Sequence, residues 1–107
     1  DGSEVTVLYT NRALAEAEQH LGRSIIGVAE GFANGTSGIT EIAQTLRVGM
    51  EAARRDARSG GRTVTLQDAF DVLDQVGFPQ VAAAVMTAVA EVLGYDGETE
   101  PEPDPNL

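Results

Sequence analysis

Few residues carry reactive side chains, and their spacing decides how far each can be taken. His20 is the single histidine, beside Gln19 at the polar end of an acidic stretch. An imidazole titrates near neutral pH and suits a general base. Nucleophilic chemistry also needs a hydroxyl and an orienting carboxylate set against it, and no recognisable motif with His20 supplies them, so it reads as a surface or hydrogen-bonded histidine. Asp68, Asp71 and Asp74 recur every three residues. A calcium loop of the EF-hand type needs acids at alternate positions, a central glycine and a closing glutamate, so these three read as the solvated face of a helix. The glycines of "GFANGTSG" (31–38) match neither the dinucleotide nor the nucleotide-phosphate fingerprint, and the latter needs a lysine that this chain lacks.

Two features point to binding instead of bond chemistry. Arg54, Arg55, Arg58 and Arg62 cluster in an otherwise acidic chain. They suit docking of an acidic partner segment, or of the chain's own tail; the plainer alternative is that they complement the negative end of a helix. Phe78, next to Pro79, is either a partner contact or a core anchor. The absence of cysteine excludes disulfides, thiolate metal sites and thiol nucleophiles. No cofactor, metal or catalytic residue is expected.

A length of 107 residues suffices for one hydrophobic core. The formal charge is −10, from seventeen acids against seven arginines. That balance repels phosphate backbones and disfavours nucleic acid as a partner. Asp96, Glu98, Glu100, Glu102 and Asp104 fall in the final stretch with no compensating base. The longest apolar run, 81–90, is interrupted by Thr87 and falls short of the roughly 20 residues of a membrane span. A soluble protein is expected, with no membrane partner and nothing that argues for export. At the other end, Asp1-Gly2 is read either as a hairpin turn whose first strand would lie upstream or as a frayed start that carries no structural meaning.

The elements that must position these residues follow from periodicity. Val5, Val7 and Tyr9 alternate with Thr6 and Leu8, which predicts a short strand needing a partner from upstream, from another chain or from a helical surface. Asn11 is suited to cap a helix over 12–21, with Gly22 as a left-handed stop. Ser24 is suited to cap a second, carrying Ile25, Val28 or Ala29, and Phe32 inward. Ile39, Ile42, Leu46, Met50, Ala53 and Ala57 keep helical spacing, which predicts a third helix over 39–58, ended by Gly60-Gly61. Glu51 and Arg55 stand one turn apart on it in the favourable order. Thr65 with Asp68 forms a capping pattern for a fourth helix that Gly77 stops. Pro79 opens a fifth, whose Val81, Val85, Ala88, Val89, Val92 and Leu93 leave only Gln80, Thr87 and Glu91 as a polar stripe. So apolar a helix belongs at the centre of a small bundle. The expected fold is mainly α: about five helices with a short N-terminal strand over residues 1–94, then a disordered acidic, proline-rich tail over 95–107.

This layout, with "LYTNRALAEAEQHLGRSI", "VTLQDAFDVLDQVG" and an alanine-rich last helix ending "VLGY", resembles the small tail assembly chaperones of long-tailed phages and gene transfer agents. The similarity runs over 5–93. Asn11, Leu14, Glu18, Leu21 and Gly22 carry it in the first helix, and residues 88–94 in the last. It implies a non-enzymatic helper, in the cytoplasm of a bacterial host, that coats the tape-measure protein until tail-tube subunits polymerise around it. Tail-tube subunits and further copies of the chain are secondary expected partners. In many phages of this kind a longer form arises by frameshifting, and the acidic tail suits a linker to such an extension. The chain departs from the pattern in lacking the upstream strand. A chaperone for an amphipathic helix needs an exposed apolar groove and a charged exterior, and the alanine-rich helix and the glycine-broken second helix are suited to form that groove. The rival expectations are a structural tail or connector subunit, and a small helical DNA-binding regulator built on the helices around "DQVGFPQ". Against the regulator, the helix that would read DNA has no arginine or lysine.

Overall fold

The computed structural model describes residues 5–36, 38–58 and 60–94. Five helices follow one another: α1 (Asn11–Leu21), α2 (Ile25–Ala33), α3 (Ile39–Asp56), α4 (Leu66–Val76) and α5 (Phe78–Leu93). The α1 cap is Thr10, one residue before the expected Asn11. Thr10 has the extended backbone a cap requires, and its hydroxyl accepts from the Ala13 N–H at 3.0 Å. Gly22 closes α1 in the left-handed conformation, φ 72°. Ser24 caps α2, accepting from the Gly27 N–H at 2.9 Å. At α4 the reciprocal bonds form as the pattern predicts, Asp68 N–H to Thr65 Oγ1 at 3.2 Å and Thr65 N–H to Asp68 Oδ2 at 2.9 Å.

α3 ends earlier than its pattern predicts. Its regular part stops at Asp56, and the left-handed residue that follows is Arg58, φ 57°, not a glycine. The reason lies in the return of the chain: the Val64 N–H donates to Glu51 Oε1 at 2.9 Å. To double back on α3 and reach that carboxylate the chain must turn before Gly60-Gly61, at a cost of about 1 kcal/mol for a non-glycine residue.

The core lies around α3, not around α5. Ile42, Ala43, Leu46 and Val48 of α3 meet Ala13, Leu14 and Ala17 of α1, Ala69 and Leu73 of α4, and Val81, Ala82, Val85 and Val89 of α5 in one cluster. α5 is apolar nearly all round, but its outer residues include Ala83 and Ala84, which lose little by facing water, and Thr87 and Glu91, which favour it. That lets α5 lie at the flank. Two positions expected inward on α3, Ile39 and Ala57, are exposed at its ends.

No strand forms among the described residues. Val5, Val7 and Tyr9 have the alternation of a strand but no second strand beside them, so the segment docks on α3 instead. The Leu8 N–H donates to Gly49 O at 3.0 Å, and the Tyr9 hydroxyl donates to Thr45 O at 2.7 Å. The Tyr9 ring lies on the bare Cα of Gly49, where a methyl group would come within 2.6 Å of Oη and 2.8 Å of Cε1. Burial pushes the Tyr9 phenol well above its usual range. Among the described residues no single helix is long and apolar enough to cross a membrane. The Asp1-Gly2 turn and the acidic tail of 95–107 lie outside the described residues.

Candidate functional site

An apolar groove with helical walls lies between α2 and α5. In α2 the buried residues Ile25, Val28 and Gly31 leave Ile26, Ala29, Glu30 and Ala33 on the other face. In α5, Met86, Ala90 and Leu93 stand beside the buried row of Val81, Val85 and Val89. The two outer rows face each other across a groove of about 360 Å³, in which Glu30 is the one charged lining residue. Phe32, near the end of α2, meets Phe78, at the start of α5, with ring centroids 6.3 Å apart and planes at 59°. That contact ties the end of α2 to the start of α5.

The start of α2 is held by three side chains. Besides the Ser24 cap, Glu18 Oε2 accepts from the Ile25 N–H at 2.8 Å. Arg23 forms an ion pair with Glu41 of α3 and donates to Gly27 O at 2.8 Å. Charge-assisted bonds of this kind fix direction more firmly than apolar contact does, and α2 needs them because its main packing neighbour is α1 alone.

The arginine cluster folds into internal pairs. Glu51 of α3 is only 3 % exposed. It accepts from Arg54 Nε at 3.0 Å and Nη2 at 2.7 Å, from Arg55 Nε at 2.8 Å and from the Val64 N–H. The Arg54 bonds, with help from Val64 and Arg55, hold its carboxyl down at about 2 against the opposing effect of burial. Arg62 grips Asp68 with two parallel bonds of 2.9 and 3.0 Å and, with the Thr65 N–H, keeps that carboxyl well below the usual range. Arg54 and Arg62 are in turn held charged by these carboxylates. Arg54 and Arg55 thus pair within α3 and Arg62 with the start of α4, while the Val64 N–H to Glu51 bond joins the two, and Arg58 is the exposed turn between them. Phe78 is half-buried and serves as the tie to α2.

Sequence spacing supplied the two helices of the groove but not its lining. Ile26 and Ala33 lie outside the inward repeat of the second helix, and an apolar residue off that repeat is the signal that marks them. Two other hollows flank residues 5–9. One of about 140 Å³ lies beside Val72, Val76 and Ala84, and one of about 370 Å³ beside Met50, Ala53 and Arg54. His20 is exposed at the end of α1, and no cluster of three or more histidine or acidic side chains that could hold a metal occurs among the described residues. No known family model, curated protein or solved structure matches the chain.

Proposed function

We propose that this protein is a tail assembly chaperone of a phage or gene transfer agent, which shields the helical tape-measure protein before the tail tube closes around it. The observation that carries the proposal is the groove between α2 and α5. Its walls are helices whose backbone groups are already paired, so an extended peptide would gain no main-chain bonds there, whereas a helix brings its own. The wall residues Ile26, Ala29 and Ala33 and, opposite, Met86, Ala90 and Leu93 repeat at three- to four-residue steps and span about 10 Å. That is the footprint of two turns of a guest helix, and the alanines let its backbone approach to about 8–10 Å. The resemblance described from sequence supplies the identity of the guest.

The outer face of α5 offers Gln80, Thr87 and Glu91 and no base, which weighs against DNA binding. Co-expression with the tape-measure protein encoded nearby, followed by size-exclusion chromatography, tests the proposal. Co-elution as a soluble complex is expected; an insoluble, unbound tape-measure protein would overturn it. Mass spectrometry of finished particles separates a chaperone from a structural subunit, since a chaperone is absent from them.

A further inference from the structure

Both ends of the α2 region are fastened to one carboxylate. Before α2, Arg23 pairs with Glu41 Oε2; after it, the Gly38 N–H donates to Glu41 Oε1 at 3.0 Å. The hydrogen bonds of 34–36 return to α2 itself: Asn34 N–H to Glu30 O at 3.0 Å, Gly35 N–H to Phe32 O at 3.2 Å, and the Thr36 N–H and hydroxyl to Gly31 O at 2.6 and 3.2 Å. α2 and residues 34–36 are therefore one unit standing on a single base.

Its grip on the rest of the fold is uneven. The first half of α2 has the Glu18 and Arg23 bonds and the buried side chains of Ile25 and Val28. In the second half, Ala29, Glu30 and Ala33 line the groove, and Phe32, against Phe78, is the one large apolar side chain. A helix of nine residues is shorter than the roughly 12–15 at which an isolated helix is even marginal in water, and Gly27 and Gly31 weaken it further. Elements held this lightly open locally, well below the free energy of global unfolding.

Resting on the reading of the α2–α5 groove as a helix-binding site, we propose that residues 24–36 are a hinged flap. It turns on the Glu41 base, is latched at its free end by Phe32 on Phe78, and swings out to admit the guest helix. Size makes the motion necessary. The closed groove holds about 360 Å³, whereas two turns of a helix 10–12 Å across occupy roughly 800–1,200 Å³. Less than half of the guest fits between the walls until the flap moves.

Hydrogen exchange of the full chain, read residue by residue, tests the motion. Amides of 28–36 are expected to exchange at least about 100-fold faster than those of 42–48 in α3. Phe32→Ala should speed exchange at 29–36 by about two- to tenfold, the worth of an aromatic pair, and leave 42–48 unchanged. Glu41→Ala should speed it across 24–36, including the first turn of α2. Protection of 28–36 equal to that of 42–48, or acceleration spread evenly over all helices in both variants, would overturn the flap and leave the groove as a helix site.

Fluorescence anisotropy with a labelled amphipathic peptide carrying an alanine and leucine stripe tests the gate. The chain has no cysteine, so the thiols of Phe32→Cys/Phe78→Cys can be joined selectively by a short bis-maleimide. The joined form should bind the peptide at least about tenfold more weakly than the same variant left unjoined, and Phe32→Ala should bind it about two- to tenfold faster than the wild type. Equal binding by the joined and unjoined forms would overturn the gate. Failure of the peptide to bind the wild-type chain would instead overturn the groove reading and, with it, the flap's role.

Discussion

Gly49→Ala reverses the usual sign of a helix substitution. Within an exposed helix, replacing glycine by alanine stabilises by about 1 kcal/mol through lower backbone entropy in the unfolded chain. Here the new methyl group would lie 2.6 Å from Tyr9 Oη and 2.8 Å from Cε1, closer than atoms in contact can stand. The ring has little room to yield, since Tyr9 is only 7 % exposed and its hydroxyl is bonded to Thr45 O. Displacing it forfeits much of about 1.5–3 kcal/mol of burial and about 1 kcal/mol of hydrogen bonding. After the helical gain is set against these, a net loss of about 1–3 kcal/mol is expected, or a melting temperature lower by about 5–15 °C. Urea unfolding followed by far-ultraviolet circular dichroism measures it. The decisive comparison is the same substitution in a Tyr9→Leu background, where no phenol ring occupies the space and alanine should stabilise. If Gly49→Ala stabilises both backgrounds equally, Tyr9 does not pack on Gly49 and the docking of residues 5–9 on α3 is wrong.

Other outcomes follow from the pairs and caps. Glu51→Gln should cost about 2 kcal/mol in urea unfolding, because Arg54, Arg55 and the Val64 N–H lose a buried anion. The folded carboxyl of Glu51 sits at about 2, below its ordinary 4.5, so its contribution is fully present above about pH 4.5 and is lost as pH falls toward 2. Asp68 is shifted in the same direction. The urea midpoint should therefore fall through that window, and more shallowly in Glu51→Gln. Thr65→Ala removes the α4 cap and should cost about 1 kcal/mol by the same assay. Gly77 joins α4 to α5 at φ 109° and ψ 134°, a conformation open essentially to glycine alone, so Gly77→Ala should cost about 1–3 kcal/mol.

Much of this fold was legible in the sequence because its punctuation is local. Gly22, Ser24, Thr65 with Asp68, Gly77 and Pro79 act within one turn of helix, and each stands where the pattern predicts. Features set by distant contacts were not legible. Whether Val5, Val7 and Tyr9 make a strand depends on a neighbour, and α3 supplied a helical surface instead. The turn at Arg58 depends on Val64 reaching Glu51, thirteen residues away in sequence. Periodicity identified α5 as apolar, yet it could not tell a central helix from a flanking one whose outer residues are alanines. At the groove, spacing marked the two helices but not the rows that face each other, because those rows are fixed by how α2 is pinned through Glu18 and Arg23. The arginine cluster illustrates the opposite limit: four bases close in sequence suggested a docking patch, while three of them are joined to Glu51 and Asp68.

The most direct test maps the contact surface by nitrogen-15 nuclear magnetic resonance, titrating the labelled chain with a soluble fragment of the tape-measure protein. The account predicts that amide shifts concentrate at Ile26, Ala29, Glu30 and Ala33 on α2 and at Met86, Ala90 and Leu93 on α5. Shifts centred instead on 54–62, or no shifts at saturating fragment, would contradict it.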